Sequence, residues 1–293
     1  MFTAKGDLEM NTLFCTDGSQ ISYDAIINFS NWFKNFKTDI LSIADWSCLS
    51  DSIVTEGTNI TAYCTNSANT ILNTAKSYLE EHNIEFNRLI TDCGSVVDTI
   101  LEKEKEGNYE YIVLGSNGKK GLQKWLGSVS QEISSYSQTS VYIAKQKNEQ
   151  KKVVFALDES LLNSQRLEKT LQNINLHDKE IHLLTVYETP EYMFLEGTID
   201  SNWINDINQK QQKEAELLLH KFEQRFNEHG YNIDTKKILS GYPSKIILDY
   251  CLGNNIDLIV SGMRQKKFLS KLLTNSVSKR VLENTTSDVL IMK

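Results

Sequence analysis

A glycine-rich segment in the first half of the chain has the residue types of an anion-binding loop. It directly follows the apolar run 111–114, which is typical of a buried strand. Glycine lets a backbone approach a ligand closely and adopt positive φ, and the amides at the start of a helix point at an anion. The residues of this candidate loop are Gly115, Gly118, Gly127, Ser128, Val129 and Ser130. They predict a phosphate-binding loop in which Ser128 also caps the next helix, although the same glycines could form only a tight strand-to-helix connection.

A carboxylate and three lysines are the charged groups near this loop. Asp17 follows the apolar run 12–16, and the carboxyl ends of parallel strands meet at one edge of a sheet. We therefore expect Asp17 at the same edge as the glycine loop, where it could contact a ligand, cap the first helix, or do both. Lys119, Lys120 and Lys124 could steady phosphates, but for them we favour a solvated loop.

Apolar runs and helical stripes alternate along the first half and predict the elements that position these residues. The runs 12–16, 39–44, 86–91, 111–114 and 140–144 predict strands. Helical spacing lies between them, as in Ala68, Ile71, Leu72, Ala75 and Leu79. This order predicts an α/β fold with a doubly wound parallel sheet. The polar segment 45–65 is predicted to be a long loop, and Gly94 and its counterpart Gly241 are predicted to serve strand-to-helix turns.

The second half of the chain repeats the first. Asp17-Gly18-Ser19 returns as Asp158-Glu159-Ser160, and the apolar run that ends at Gly115 returns as a run that ends at Gly262. A repeat of this length is a whole domain. We predict two domains, 1–148 and 149–293, with a short junction that lacks Pro and Gly. Such a junction favours domains that pack together, as in a two-fold dimer.

Composition narrows the class of protein. The 293 residues are 40% hydrophobic and 24% charged, as in a soluble globular protein, and the net charge of −7 argues against nucleic-acid binding. No apolar stretch approaches a membrane span, and the polar first eleven residues do not resemble a signal peptide. The scattered cysteines are Cys15, Cys48, Cys64, Cys93 and Cys251. Their odd number and spacing indicate reduced thiols in a cytoplasmic protein.

Dedicated catalytic and metal motifs are missing from the sequence. The histidines, which match neither HExxH nor a Cys/His zinc spacing, are His82, His177, His182, His220 and His229. There is no GxSxG elbow, no GxxxxGK[ST] loop and no carboxylate pair that spacing alone defines. We therefore expect a binding protein and not an enzyme, without a metal site of its own.

The chain resembles the universal stress proteins that carry two domains in one chain. The resemblance depends on the repeated glycine loop, on Asp17 and on Gly94. The resemblance covers nearly all of residues 11–293. It implies two Rossmann-like domains of the adenine nucleotide alpha hydrolase type. In nucleotide-binding members, the glycine loop holds the phosphates and ribose of ATP, and the aspartate lies near the nucleoside. The resemblance also implies that Ile43, late in the second strand, contacts adenine; the residue's simplest role, like that of Val186, is an ordinary strand position.

Both halves depart from the family's glycine pattern, in opposite ways. The first half keeps all three glycines, but eight residues, 119–126, separate Gly118 from Gly127 where the family has nine. In the second half nine residues intervene, but the second and third glycines are replaced by Gln265 and Asn275. Glu159 also adds negative charge near that edge. The first domain is therefore the expected nucleotide site, and the second is expected to bind nucleotide poorly or not at all.

The expected function is stress-response regulation by occupancy of the first domain with ATP or a related adenine nucleotide, with Mg²⁺ carried mainly by the phosphates. The chain would act as a homodimer or with protein partners in stress signalling. Three alternatives stay open: an interaction module without nucleotide binding, a slow ATPase or autophosphorylating protein, and a sensor of another small molecule. The last would use aromatic residues of segments 45–65 and 188–203, namely Trp46, Tyr63, Tyr192, Phe194 and Trp203.

Overall fold

The computed structural model describes residues 9–45, 60–117, 126–146, 149–162, 165–188, 201–262 and 277–293. The chain divides into two compact units, Met1–Lys147 and Asn148–Lys293. Gly118, Lys119, Lys120 and Lys124 lie outside the described residues, as do Gln265 and Asn275 of the second half.

The first unit alternates strands and helices throughout its described residues. Its elements are β1 (Met10–Cys15), α1 (Gln20–Trp32), β2 (Phe36–Asp45), α2 (Ile60–Glu81), β3 (Phe86–Gly94), α3 (Val96–Glu106), β4 (Tyr111–Gly115), α4 (Ser128–Tyr136) and β5 (Ser140–Ala144). The strands pair in parallel in the order β3-β2-β1-β4-β5. Strand β4 has no exposed residue because helices cover both faces of such a sheet. Phe29 of α1 packs against the rings of Phe33, Tyr111 and Tyr142 to form the core.

The second unit has the same plan. Its described elements are β6 (Lys152–Leu157), α5 (Glu159–Leu162), α6 (Gln165–Asn173), β7 (Glu180–Tyr187), α7 (Ser201–Glu228), β8 (Thr235–Ser240), α8 (Pro243–Asn254), β9 (Leu258–Gly262), α9 (Val277–Asn284) and β10 (Asp288–Met292). The parallel strand order is β10-β9-β6-β7-β8. Phe155 meets Phe226 edge-on at 4.8 Å on one face of the sheet. Val154, Leu184 and Ile259 belong to the core cluster on the other. The predicted α/β fold with a doubly wound parallel sheet is confirmed in both units.

The structure corrects the predicted ends of two loops. Helix α2 begins at Ile60, so the predicted loop 45–65 is wrong for its last six residues. The segment 188–203, also predicted to be a loop, is helical in its last three residues because α7 begins at Ser201. Trp203 therefore lies in the helix, and its side chain is half-exposed. The predicted turns are confirmed: Gly94 ends β3 and Gly241 follows β8, and each leads towards the next helix with φ of 141° and 135°, which favours glycine.

Candidate functional site

The turn that follows β1 places Asp17 at the carboxyl edge of the first sheet. Oδ1 of Asp17 accepts hydrogen bonds from the backbone N–H of Ser19 at 3.0 Å and from its hydroxyl at 2.6 Å. Gly18 has φ of 78°, which a side chain would disfavour. The exposed carboxylate therefore orders a turn ahead of α1. The cap residue of that helix is Ser19, so of the roles considered for Asp17 the structure does not show the capping one.

The second unit uses its equivalent aspartate differently. Oδ1 of Asp158 accepts the N–H of Leu161 at 2.8 Å and the hydroxyl of Ser160 at 2.6 Å, and in this way it caps α5. Glu159 stands in the first turn of α5, where the first unit has the left-handed Gly18. The two carboxyl edges thus differ in backbone path as well as in charge.

Gly115 serves close packing between β4 and α1. A Cβ at this position would lie 2.9 Å from the backbone nitrogen of Ser22, closer than real contacts allow. The hydroxyl of Ser130 donates to the carbonyl of Gly115 at 2.7 Å and so joins the end of β4 to α4. The buried Ser130 hydroxyl is therefore engaged within the fold.

The same two contacts recur in the second unit. A Cβ on Gly262 would lie 2.8 Å from the backbone nitrogen of Leu161, and the hydroxyl of Ser278 donates to the Gly262 carbonyl at 2.8 Å. Packing alone therefore explains a glycine at position 262, without any ligand.

Gly127 precedes α4 and leaves the start of that helix without a side-chain cap. Its backbone is extended, with φ −67° and ψ 151°, and its N–H donates to the carbonyl of Ser116 at 2.7 Å. Ser128 is the exposed first residue of the helix, so the prediction that it caps α4 is wrong. The first N–H groups of a helix have no acceptor within it, and here they belong to Ser128 and Val129. This helix start is the feature of the site best suited to an anion.

Ile43 lies at the same edge, two strands away from β4. It is half-buried near the end of β2 and pairs with Asp92 of β3. The structure therefore brings Asp17, Gly115 and the start of α4 together around the ends of β1 and β4, while Ile43 marks the end of the neighbouring strand. The middle glycine of the loop, Gly118, lies outside the described residues.

Two buried hydroxyl groups next to Asp17, which were missed in the sequence, support the turn after β1. The Thr16 and Ser22 side chains hydrogen-bond at 2.7 Å, and Thr16 also accepts the N–H of Gly18 at 3.1 Å.

The buried hydroxyls of Ser42 and Thr185 have no hydrogen-bond partner in the described parts of the chain. These two residues occupy matching positions in β2 and β7, so comparison of the two halves could have identified them.

The pKa of Tyr23, a neighbour of this edge, is affected by burial and by the charge of Asp17. Burial first, and then the negative charge of Asp17, raise the pKa of Tyr23, whose hydroxyl lies 3.5 Å from the carbonyl of Ile71. Tyr23 therefore stays protonated and can only act as a neutral hydrogen-bonding group near the site.

In the described ranges, no group of three or more His, Cys, Asp or Glu side chains could hold a metal ion.

Comparisons with known proteins agree with this architecture. The model of the Universal stress protein family matches residues 10–145 and again residues 149–293. A universal stress protein of Synechocystis is 26% identical over 229 residues, which cover 77% of this chain and 72% of the relative. One from Methanocaldococcus jannaschii is 27% identical over 143 residues, covering 49% of this chain and 82% of the relative.

A solved structure shares the fold over the whole length. The crystal structure of a universal stress protein from Archaeoglobus fulgidus superposes with a TM-score of 0.68 at 20% identity, covering 97% of this chain and 96% of that one. Two matching family segments and this fold define a protein of the universal stress class. This chain belongs to the universal stress protein family. No helix in the described ranges combines the length and apolar character needed to cross a membrane.

Proposed function

We propose that the first unit binds ATP or a related adenine nucleotide and that its occupancy, without dedicated turnover, is the signal of this stress-response protein. The observation that carries the proposal is the uncapped start of α4 beside the end of β4. N–H groups at a helix start attract anions, both through hydrogen bonds and through the helix dipole. The described residues therefore fit a phosphate group there.

Each predicted residue has a place in this proposal. The N–H groups of Ser128 and Val129 would donate to phosphate oxygens, and the carboxylate of Asp17, at the same edge, would face the ribose. Ile43 would contact the adenine from the end of β2. Gly115 and Ser130 act indirectly, because they fix β4 against α1 and α4. Bound ATP would carry its Mg²⁺ mainly on its own phosphates.

The proposal assigns no comparable site to the second unit. Asp158 there is committed to capping α5, and Glu159 lies beside it in the first turn of that helix. A negative charge at this position opposes a phosphate. We propose that the second unit is a packing and regulatory half, and that a second copy of the chain or a protein partner responds to the nucleotide state.

Substitution of Ser128 by proline tests the proposal directly. Proline is favoured as the first residue of a helix, and the extended Gly127 suits the residue before a proline. Ser128→Pro therefore keeps the fold but removes one N–H donor. Calorimetry of the nucleotide-stripped protein with ATP and Mg²⁺, and with AMP for comparison, should show one site per chain. The variant should raise its Kd about 10- to 100-fold, as expected for one lost hydrogen bond to a charged group.

The matched control is the same substitution at Ser276, the corresponding residue of the second half. It should leave ATP affinity unchanged. Equal losses in both variants, or two sites per chain, would contradict the assignment to the first unit. No binding at millimolar ATP would favour the alternative of an interaction module without nucleotide. Phosphate release above that of a Gly127→Asn variant would instead support slow hydrolysis.

A further inference from the structure

A small groove lies in the first unit at the amino edge of its sheet, opposite the glycine loop. Its volume is about 260 Å³, and it is lined by Leu101, Glu104, Lys105, Tyr136, Gln138 and Thr139. These residues come from α3, from the end of α4 and from the turn that leads into β5. None of them takes part in the site proposed above.

Glu104 contributes a buried carboxylate to the groove. The residue is only 8% exposed. Oε1 accepts the hydroxyl of Ser137 at 2.9 Å and the N–H groups of Gln138 and Thr139 at 2.7 and 2.6 Å. Three donors on one oxygen stabilise negative charge. In the described ranges Oε2 accepts no hydrogen bond, so a ligand in the groove can use it.

The end of α4 adds partial negative charge and an aromatic ring. The last carbonyl groups of a helix carry partial negative charge, and the last turn of α4 contains no basic residue. The ring of Tyr136 stands at this helix end and is 58% exposed. Aromatic faces attract cations, and the planar guanidinium group in particular stacks on them.

The fold does not require this carboxylate. Glu104 and Cys251 stand the same number of residues after the equivalent glycines Gly94 and Gly241, and both are buried. A thiol therefore fills the equivalent position of the second unit, where Asn284 replaces Tyr136. The carboxylate and the aromatic ring are features of the first unit alone.

We propose that this groove binds a small organic cation of the alkylguanidinium class. Oε2 of Glu104 accepts from the guanidinium N–H groups, the ring of Tyr136 stacks on the guanidinium plane, and Leu101 contacts the alkyl chain. The apolar contributions of Leu101 and Tyr136 make the groove unsuited to a bare metal ion, which needs oxygen ligands on several sides. Lys105 at the rim has like charge and lowers the affinity.

The test uses the full chain and compares butylguanidinium with butylurea, its neutral isostere, in NMR titrations. Butylguanidinium should bind, and butylurea should bind at least about tenfold more weakly, because it lacks the charge that pairs with the carboxylate. Glu104→Gln should weaken butylguanidinium binding about tenfold, and the exposed Glu102→Gln on the same helix should not. Lys105→Gln should strengthen binding about two- to fivefold by removing a like charge.

Two variants keep the test decisive if Glu104→Gln fails to fold. Lys105→Gln and Tyr136→Leu alter exposed side chains and leave the hydrogen bonds of Glu104 intact. The proposal is overturned if butylurea binds as well as butylguanidinium, or if neither of these variants changes affinity. An acetylated, amidated Gly-Arg-Gly peptide distinguishes the two sources of this group. Binding as tight as that of butylguanidinium assigns the groove to an arginine side chain of a partner, and much weaker binding assigns it to a free small molecule.

Discussion

Asp39, in the amino-terminal half of β2, shows how a buried carboxylate is held within the first sheet. Only 5% of the residue is exposed, and Oδ2 accepts hydrogen bonds from Nε of Arg88 at 2.8 Å and from the hydroxyl of Tyr109 at 2.6 Å. A buried charge is tolerated only when it is paired and hydrogen-bonded. Burial first, and then the hydrogen bond to Asp39, raise the pKa of Tyr109 to about 12.

This tyrosine gives a prediction about stability and pH. Tyr109→Phe should lower the free energy of unfolding at pH 8 by about 1.5–3 kcal/mol, because Asp39 loses a donor. The pKa of Tyr109 is raised in the folded state from an ordinary value of 10.0. Its contribution is therefore fully present below pH 10 and is lost as the pH rises towards 12. Urea unfolding at pH 8, 10 and 11.5 should show the two proteins converging.

The exposed Tyr136 supplies the control for this comparison, because Tyr136→Phe removes a phenol that is not buried. That variant should follow the wild type at every pH. A difference between Tyr109→Phe and wild type that stays constant up to pH 11.5 would show that Tyr109 does not titrate in a perturbed environment.

The contacts between strand ends and helix starts explain which glycines both halves retain. Gly115→Ala should destabilise the protein by about 1–3 kcal/mol, because the added Cβ would press on the backbone of α1, which cannot give way as a side chain would. Gly262→Ala should do the same in the second unit. Urea unfolding followed by circular dichroism measures both effects.

The matched control is Gly253→Ala in α8, where an added Cβ meets nothing within 4 Å. It should stabilise the protein by about 0.5–1 kcal/mol, since alanine favours a helix more than glycine does. If Gly115→Ala were no more destabilising than this control, packing against α1 would not require glycine at position 115. The packing explanation for the glycine in both halves would then fail.

Periodicity was enough to predict the strands of the first unit, and the repeat extended that plan to the second, but the starts of the helices were not predicted. Alternating apolar runs locate the strands because both faces of each central strand are buried. The start of α2 was missed because the predicted loop 45–65 overlooked the helical spacing of Ile60, Tyr63 and Cys64, which continues the stripe that begins again at Ala68. The cap positions were also misplaced, since a one- or two-residue change of helix start depends on backbone geometry that composition does not encode.

The candidate site could be predicted only as a set of residues at one sheet edge. The topology of a parallel sheet brings Asp17 and the glycine loop to the same edge, and this follows from element order alone. The sequence could not separate Gly115, which packs against α1, from Gly127, which leaves a helix start uncapped. That distinction depends on how closely two helices approach β4 in three dimensions.

At the scale of the whole molecule, the second unit is an internal reference for the first. Both share strand order, the glycine contact and the serine-to-glycine hydrogen bond, so a ligand that distinguishes them must respond to the remaining differences. A protein with a net charge of −7 does not attract a polyphosphate by general electrostatics. Selective binding would therefore have to come from local N–H donors and from Gly18, which stands in the first unit where the second unit adds the carboxylate of Glu159.

Hydrogen exchange read by mass spectrometry tests this asymmetry within one chain. Saturating ATP with Mg²⁺ should slow exchange in peptides that cover 12–23 and 126–131, because the ligand engages the turn after β1 and the first N–H groups of α4. A ligand at a hundred times its Kd stabilises the state that binds it by about 2.7 kcal/mol, enough for a large decrease in exchange rate. Peptides that cover 258–262 and 277–284 should exchange at an unchanged rate, and Ser128→Pro should reduce the protection in the first unit at the same ATP concentration. Equal protection in both units would mean that the lost glycines of the second half do not prevent binding, and that occupancy of one unit cannot be the signal.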